Sequence, residues 1–220
     1  MTERAAPGRR RGTLIARRLV QLYAGLVLYG VSMALMVRSR LGVMPWDVLH
    51  QGLSRQSGWS MGLVTIVVGA LVLLAWIPLR QRPGLGTVSN VVVVGLALDA
   101  ALALLPVPDG IGVRAAFAVG GVLLNAVATA SYIGVHLGPG PRDGLMTGVV
   151  SRTGGSVRLV RSAIEVVVVA VGFLLGGTVG LTTVLYALGI GPLVHALLPR
   201  LSVELPAAAP AAPAPEPSGR

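Results

Sequence analysis

Leu41-Gly-Val-Met-Pro-Trp-Asp-Val-Leu-His-Gln-Gly52 and Leu137-Gly-Pro-Gly-Pro-Arg-Asp-Gly-Leu-Met-Thr-Gly148 are two versions of one segment, and their relation decides the fold. Asp47 matches Asp143 at an offset of 96. The same offset matches Arg18 with Arg114, Gly25 with Gly121, Pro45 with Pro141, Gly58 with Gly154, Gly84 with Gly180, Thr87 with Thr183 and Gly95 with Gly191. Roughly two dozen of about 85 aligned positions are identical, a duplication of the kind common in membrane transporters. Chance similarity between apolar stretches would not preserve glycine, proline and aspartate, so the chain reads as two copies of one unit.

Each copy is strongly apolar. Over 220 residues, 54% are hydrophobic and 12% are charged, and the mean hydropathy is +0.79. Soluble domains are about 45–50% apolar and about 25% charged. Uncharged runs such as Leu19–Val37, Met61–Leu79, Val88–Leu98 and Ala115–Val135 approach or reach the roughly 20 residues needed to cross about 30 Å of hydrocarbon. We expect an all-α, polytopic transmembrane helical bundle with spans near 17–37, 60–79, 86–105, 114–135, 157–175 and 178–198.

The remaining segments are a basic cytoplasmic tail over 1–16, a linker over 106–113 and a Pro/Ala-rich disordered tail over 201–220. Membrane repeat 1 then covers 17–105, and membrane repeat 2 covers 114–200. Three spans per repeat is an odd number, so the second copy enters the bilayer from the opposite side and the repeats are inverted.

The net charge of +10 raises the question of nucleic acid. Arg4, Arg9, Arg10, Arg11, Arg17 and Arg18 precede or open the first span, where a positive-inside signal belongs, and no soluble fold follows to read bases. With the N-terminus inside, Arg80, Arg82, Arg142, Arg152 and Arg200 are also cytoplasmic. Arg38, Arg40, Arg55, Arg114 and Asp109 are external. Both termini are expected in the cytoplasm. Leu19–Val37 is longer than a signal-peptide core and lacks a small-residue cleavage site after it, so the first span stays. All 18 basic residues of the Lys+Arg total are arginine, a compositional hint of a GC-rich bacterial genome. Without cysteine, thiolate chemistry and disulfides are excluded.

The paired segments lie between the first and second span of each repeat. They are too apolar for an ordinary loop and too short to cross the bilayer. Proline at a first helical position, an acid two residues later and a following glycine start and stop a short helix. We expect two re-entrant helices dipping in from opposite faces, with Pro45, Asp47, Pro141 and Asp143 near the midplane. The aspartates either cap those helices or help to form a solute or ion site, and the two roles are compatible. Trp46 against Arg142 breaks the symmetry.

Other polar groups within the spans are candidates because ionisable residues in a membrane are expensive. Asp99 and His195 are repeat equivalents near span ends, and form a proton-linked pair or else snorkel or cap. Arg161 and Glu165, with Arg158 a turn before, share a helix face and either pair structurally or line a pathway. Asn90, Asn125 and Tyr186 are interhelical hydrogen-bonding groups or ligands. Gly172 and Gly176 suit a small-residue helix contact. Trp59 and Trp76 suit an interfacial belt better than a substrate contact. Ser151-Arg-Thr-Gly-Gly-Ser156 has phosphate-loop composition but lacks the lysine and strand context, and reads as a loop. No metal-spaced histidine pair, dinucleotide fingerprint or nucleophile–base set is visible, so no cofactor, metal or catalytic residue is expected.

The string Leu41-Gly42, Pro45-Trp46-Asp47-Val48-Leu49-His50-Gln51-Gly52-Leu53-Ser54, followed by Gly62 and by Gly84-Leu-Gly-Thr-Val-Ser-Asn90, resembles the YczE branch of the bacterial YczE/YyaS/YitT family of integral membrane proteins. The resemblance implies a multispan fold in the bacterial plasma (inner) membrane. It carries no established activity or catalytic residues. Inverted repeats and broken segments favour a small secondary transporter or permease-like protein for a small solute or ion. The alternatives are a regulatory or assembly partner of another membrane complex, or a substrate-binding membrane subunit of an ATP-driven transporter. An intramembrane enzyme is a third class. The expected partners are the lipid bilayer, a small solute or ion, and in the alternatives a membrane protein.

Overall fold

A computed structural model describes residues 7–203, with side chains from Gly12 onward. Eight helices follow one another: α1 (Pro7–Ser39), α2 (Pro45–Ser57), α3 (Met61–Leu79), α4 (Leu85–Leu104), α5 (Ile111–Ile133), α6 (Pro141–Thr153), α7 (Val157–Leu174) and α8 (Leu181–Leu201). No strand occurs among the described residues. The starts of α2, α3 and α4 recur 96 residues later as the starts of α6, α7 and α8.

The backbone repeats as faithfully as the boundaries. The residues with positive φ fall into offset pairs: Arg40 with His136, Gly42 with Gly138, Gly58 with Gly154, and Arg80 with Gly176. Leu41 O accepts from Thr182 N at 2.9 Å, and its equivalent Leu137 O accepts from Gly86 N at 2.8 Å. Each glycine-containing loop therefore docks on the first turn of the last helix of the other half.

Helices α1 and α5 form the centre. Leu22, Leu26, Met33 and Met36 of α1 pack with Val122 and Ala126 of α5, and Leu98 of α4 and Ile190 of α8 close the same core. Their direction is fixed by reciprocal arginines. Near the start of α1, Arg18 donates from Nε to Val135 O at 2.8 Å and from Nη2 to His136 O at 3.2 Å, just beyond the end of α5. Near the start of α5, Arg114 donates to Ser39 O at 2.8 Å and to Arg40 O at 3.0 Å, at the end of α1. A helix end leaves carbonyls without intrahelical donors, and a cation there also suits the helix dipole. The two helices are thus antiparallel. Around them α4 packs on α1 and α8 on α5, while the shorter elements cross over, α2 against α7 and α6 against α3.

Five helical segments are long and apolar enough to cross a membrane: Gly12–Ser39, Met61–Leu79, Leu85–Leu104, Ile111–Ile133 and Leu181–Leu201. The sixth expected span is the helix α7, but Arg158, Arg161 and Glu165 within its 18 residues keep it out of that group. The short segments are helices of 13 residues each. At 1.5 Å per residue they reach only about 20 Å, well short of the bilayer core.

Two boundaries differ from expectation. Helix α1 begins at Pro7, so residues 7–16, expected as a tail, are its first turns. Proline tolerates the first helical position and arginine is a good helix former, which explains the extension. Helix α5 begins at Ile111, inside the expected 106–113 linker. Residues 1–6 and most of the 201–220 tail lie outside the described residues.

Candidate functional site

The two short helices begin beside one another at a cavity of about 340 Å³. Pro45 and Trp46 reach it from α2, and Gly140, Pro141, Arg142 and Asp143 from α6. Proline at the first position of each helix leaves no N–H there to satisfy, and Met44 and Gly140 provide no side-chain cap. Both starts present a positive dipole end, and that of α6 has the open N–H groups of Arg142 and Asp143 ahead of the bond from Gly144 N to Gly140 O, whereas in α2 Asp47 N is already bonded to Met44 O at 2.9 Å. Tyr29 of α1, Tyr132 of α5 and Tyr186 of α8 complete the inner wall. The chain has four tyrosines, so three of them surround this one space.

Arg142 is the central charge. Its guanidinium donates to the Tyr29 hydroxyl and stacks over two rings, 5.8 Å from the Tyr29 centroid and 5.6 Å from that of Trp46. Among the described residues, no carboxylate lies within ion-pair distance of it; the pairs present are Asp47 with His50 and Arg161 with Glu165. Asp143, the next residue, accepts only a long hydrogen bond from the Tyr132 hydroxyl, 3.4 Å from its Oδ2.

Asp47 and Asp143 are not side-chain caps, because neither helix start has such a bond. Nor are they equivalent. Asp143 lines the cavity, as do Pro45 and Pro141. Asp47 is 0% exposed, contacts His50 Nδ1 through Oδ1 at 3.0 Å, and leaves Oδ2 buried without a hydrogen bond. Its His50 partner reaches a second, smaller cavity of about 40 Å³.

That smaller cavity is the repeat equivalent of the larger one. His50, Thr65, Val68 and Gly69 line it, where Met146, Arg161, Ile164 and Glu165 line the other. Tyr29, Trp46, Asn90, Pro141 and Arg142 border both. These five residues form the partition.

The other expected pairs separate. Asp99 and His195 do not meet: Asp99 accepts from Ser60 Oγ at 2.5 Å and Gly62 N at 2.7 Å, tying α4 to the first turn of α3. His195 lines the large cavity. In this structure Asp99 acts as a cap, and it and His195 are not hydrogen-bond partners. Arg161 and Glu165 do pair, Nε to Oε1 at 3.0 Å, on the cavity wall formed by α7. Asn125 makes interhelical bonds, donating to Ser32 Oγ at 2.8 Å and accepting from the Tyr186 hydroxyl at 3.0 Å. Of the segment from Ser151 to Ser156, expected as a loop, Ser151, Arg152 and Thr153 are instead the last turn of α6, and only 154–156 form the connection to α7.

Trp76 is not a belt residue. It is 2% exposed, and its indole N–H donates to Pro141 O at 3.0 Å. Proximity to the end of a span misled, because the ring turns inward against α6. A Cβ placed on Gly144 would lie 1.9 Å from Trp76 Cζ2. In the other half the sizes are exchanged: Gly172, the equivalent of Trp76, meets the backbone of Val48 and Leu49. Trp59 is 52% exposed, as an interfacial residue requires.

The sequence reading missed Arg142 as a site residue, together with Tyr29, Trp46, Tyr132 and His50. A signal existed for Arg142, since it replaces Trp46 at the main break in the repeat.

The family model described as a family of unknown function (DUF6198) matches residues 16–199. An uncharacterized protein of Haemophilus influenzae is 42% identical over 177 residues, covering 80% of this chain and 81% of the relative. The uncharacterized membrane protein YczE of Bacillus subtilis is 31% identical over 186 residues, covering 83% of this chain and 86% of the relative. The uncharacterized protein YyaS of Bacillus subtilis is 24% identical over 182 residues, covering 80% and 89%. No solved structure matches. With its apolar helices, the similarity to YczE makes this a multi-pass membrane protein of helical-bundle type.

Proposed function

The chain belongs to the DUF6198 family, and on that premise we propose that it is a small secondary transporter or permease-like protein of the bacterial plasma membrane, working on a small solute through the cavity at the two helix starts. The observation that carries this reading is the pair of unequal cavities, about 340 and 40 Å³, at repeat-equivalent places on either side of one shared partition. Repeats inverted in the membrane give a transporter two interchangeable half-states, with the site between them. The antiparallel α1 and α5, the crossed packing of α2 on α7 and α6 on α3, and the short re-entrant helices suit that arrangement. In it, one half is open and the other closed, and transport exchanges their conformations.

The large cavity is lined by the second half of α8, from Ile190 to Leu198, and in this reading its opening lies toward the C-terminus. By the arginine bias this side is cytoplasmic. A regulatory or assembly partner would have no need of two exchanging cavities.

The chain has no cysteine, which makes the test direct. Val68→Cys and Ile164→Cys place single thiols at equivalent positions in the small and large cavities. In right-side-out and inverted membrane vesicles, a membrane-impermeant maleimide should label Ile164→Cys from the cytoplasmic face and Val68→Cys, more slowly, from the outer face. Labelling of both from one face, or permanent protection of Val68→Cys, overturns the alternating reading.

A further inference from the structure

A guanidinium drawn into an apolar bundle is stabilised by a directly bonded anion, and is costly without one. Arg142 has none. A guanidinium has five N–H donors, and in Arg142 only the bond to the Tyr29 hydroxyl is made. The two rings beneath it supply cation–π attraction but accept no conventional hydrogen bond. Among the described residues no acid bonds it directly: Glu165 holds Arg161, and Asp47, near enough to act on it only through space, holds His50 through Oδ1. Asp143 leans toward the Tyr132 hydroxyl rather than toward its own neighbour. Arg142 also stands in the first turn of α6, whose start has no side-chain cap. The open donors and the guanidinium therefore face the same space.

We propose that the solute held in the large cavity is a small organic anion, its carboxylate bound by Arg142 and its apolar body lying against Ile164, Ile190, Val194 and Leu198. This rests on the solute-site reading above and adds the chemical class. A planar fork matches a carboxylate with two parallel bonds, a geometry an ammonium does not offer. These aliphatic residues share the lining with Arg161, Glu165 and His195, and an inorganic oxyanion would leave the aliphatic part unfilled. The volume lies at the small end of the range for ligand pockets, about 300–1,000 Å³.

The test compares matched acids, amides and amines on the purified full-length protein in detergent, read by thermal shift. The probes are benzoate, benzamide and benzylamine, with the 4-methylpentanoate, 4-methylpentanamide and isopentylamine series beside them and sodium sulfate as the inorganic anion. Each acid should bind about tenfold or more tighter than its amide, with no response to the amine. Arg142→Gln should abolish that preference, and Arg142→Lys should retain part of it. Gel filtration and the unliganded melting curve show whether each variant is folded; the wild-type comparison stands without them.

Amides binding as tightly as acids, or amines alone binding, overturns the anion assignment while leaving the solute site in place. Sulfate matching benzoate overturns the organic body, and silence from every probe overturns the inference. The solute site itself is judged separately, by the cysteine labelling at Val68 and Ile164.

Discussion

Gly144→Ala adds one methyl group where no space exists. The new Cβ would stand 1.9, 2.3 and 2.6 Å from Cζ2, Cη2 and Cε2 of Trp76. Ordinary contact begins near 3.4 Å, so the indole must retreat by roughly 1.5 Å or the helices must part. The ring is 2% exposed and cannot swing into solvent. Overpacking of this kind costs about 1–3 kcal/mol. The retreat also draws the indole N–H away from Pro141 O, now at 3.0 Å, at about 1 kcal/mol. The sum is about 2–4 kcal/mol. At about 2–4 °C per kcal/mol for a chain of this size, the melting temperature in detergent should fall by about 4–16 °C. A double-mutant cycle isolates the cause. Trp76→Leu alone opens a void, but in the Gly144→Ala background it relieves the clash, so the pair should be milder than the sum of the singles by about 0.5–3 kcal/mol. A melting temperature unchanged by Gly144→Ala, or strict additivity in the cycle, refutes the argument that Trp76 is seated on Gly144.

Arg18→Ala and Arg114→Ala remove equivalent pairs of charge-assisted bonds, and each should destabilise by about 1–3 kcal/mol in thermal unfolding; a loss confined to one of them contradicts the reciprocal clamp. Asp99→Asn weakens the tie to the first turn of α3, and hydrogen exchange at Gly62 N should accelerate while benzoate binding is unchanged. Asn125→Leu removes the acceptor of the buried Tyr186 hydroxyl and a donor to Ser32 Oγ, which keeps its own bond to Tyr29 O, with an expected loss of about 1–3 kcal/mol by thermal unfolding. Glu165→Gln leaves Arg161 without its i,i+4 partner within an expected membrane span, and should cost more than the ~0.5 kcal/mol of a water-exposed pair in thermal unfolding; a smaller loss places the pair in solvent.

The fold was largely readable because its rules are local. Pro45 and Pro141 open helices, Gly58 and Gly154 close them in the left-handed region, and the 96-residue offset carries these signals into the second half. The site was half readable. Pro45, Pro141, Asp143, His195, Arg161 and Glu165 all reach the large cavity, but Asp47 lines neither cavity and is buried against His50. Repeat logic treated Asp47 and Asp143 alike, whereas their surroundings are set by neighbours the repeat does not preserve, Trp46 against Arg142 and His50 against Met146. Trp76, and the pairing alternative for Asp99, were misjudged for a related reason. Distance along the chain from a span end does not say which way a helical side chain points, and both turn toward another helix.

The crossed packing of the short helices sets a schedule on biosynthesis. Helix α2 ends at Ser57 and the helix it packs against begins at Val157, so about 100 further residues must emerge before α2 can be covered. At about 5–20 residues per second this is an interval of roughly 5–20 s. Throughout it Asp47 and His50, fully enclosed in the finished protein, belong to an incomplete bundle. The ribosome thus leaves the first half waiting for the second, and a truncated chain stopped before α7 would be left with a polar, uncovered helix for the cell's quality control to find.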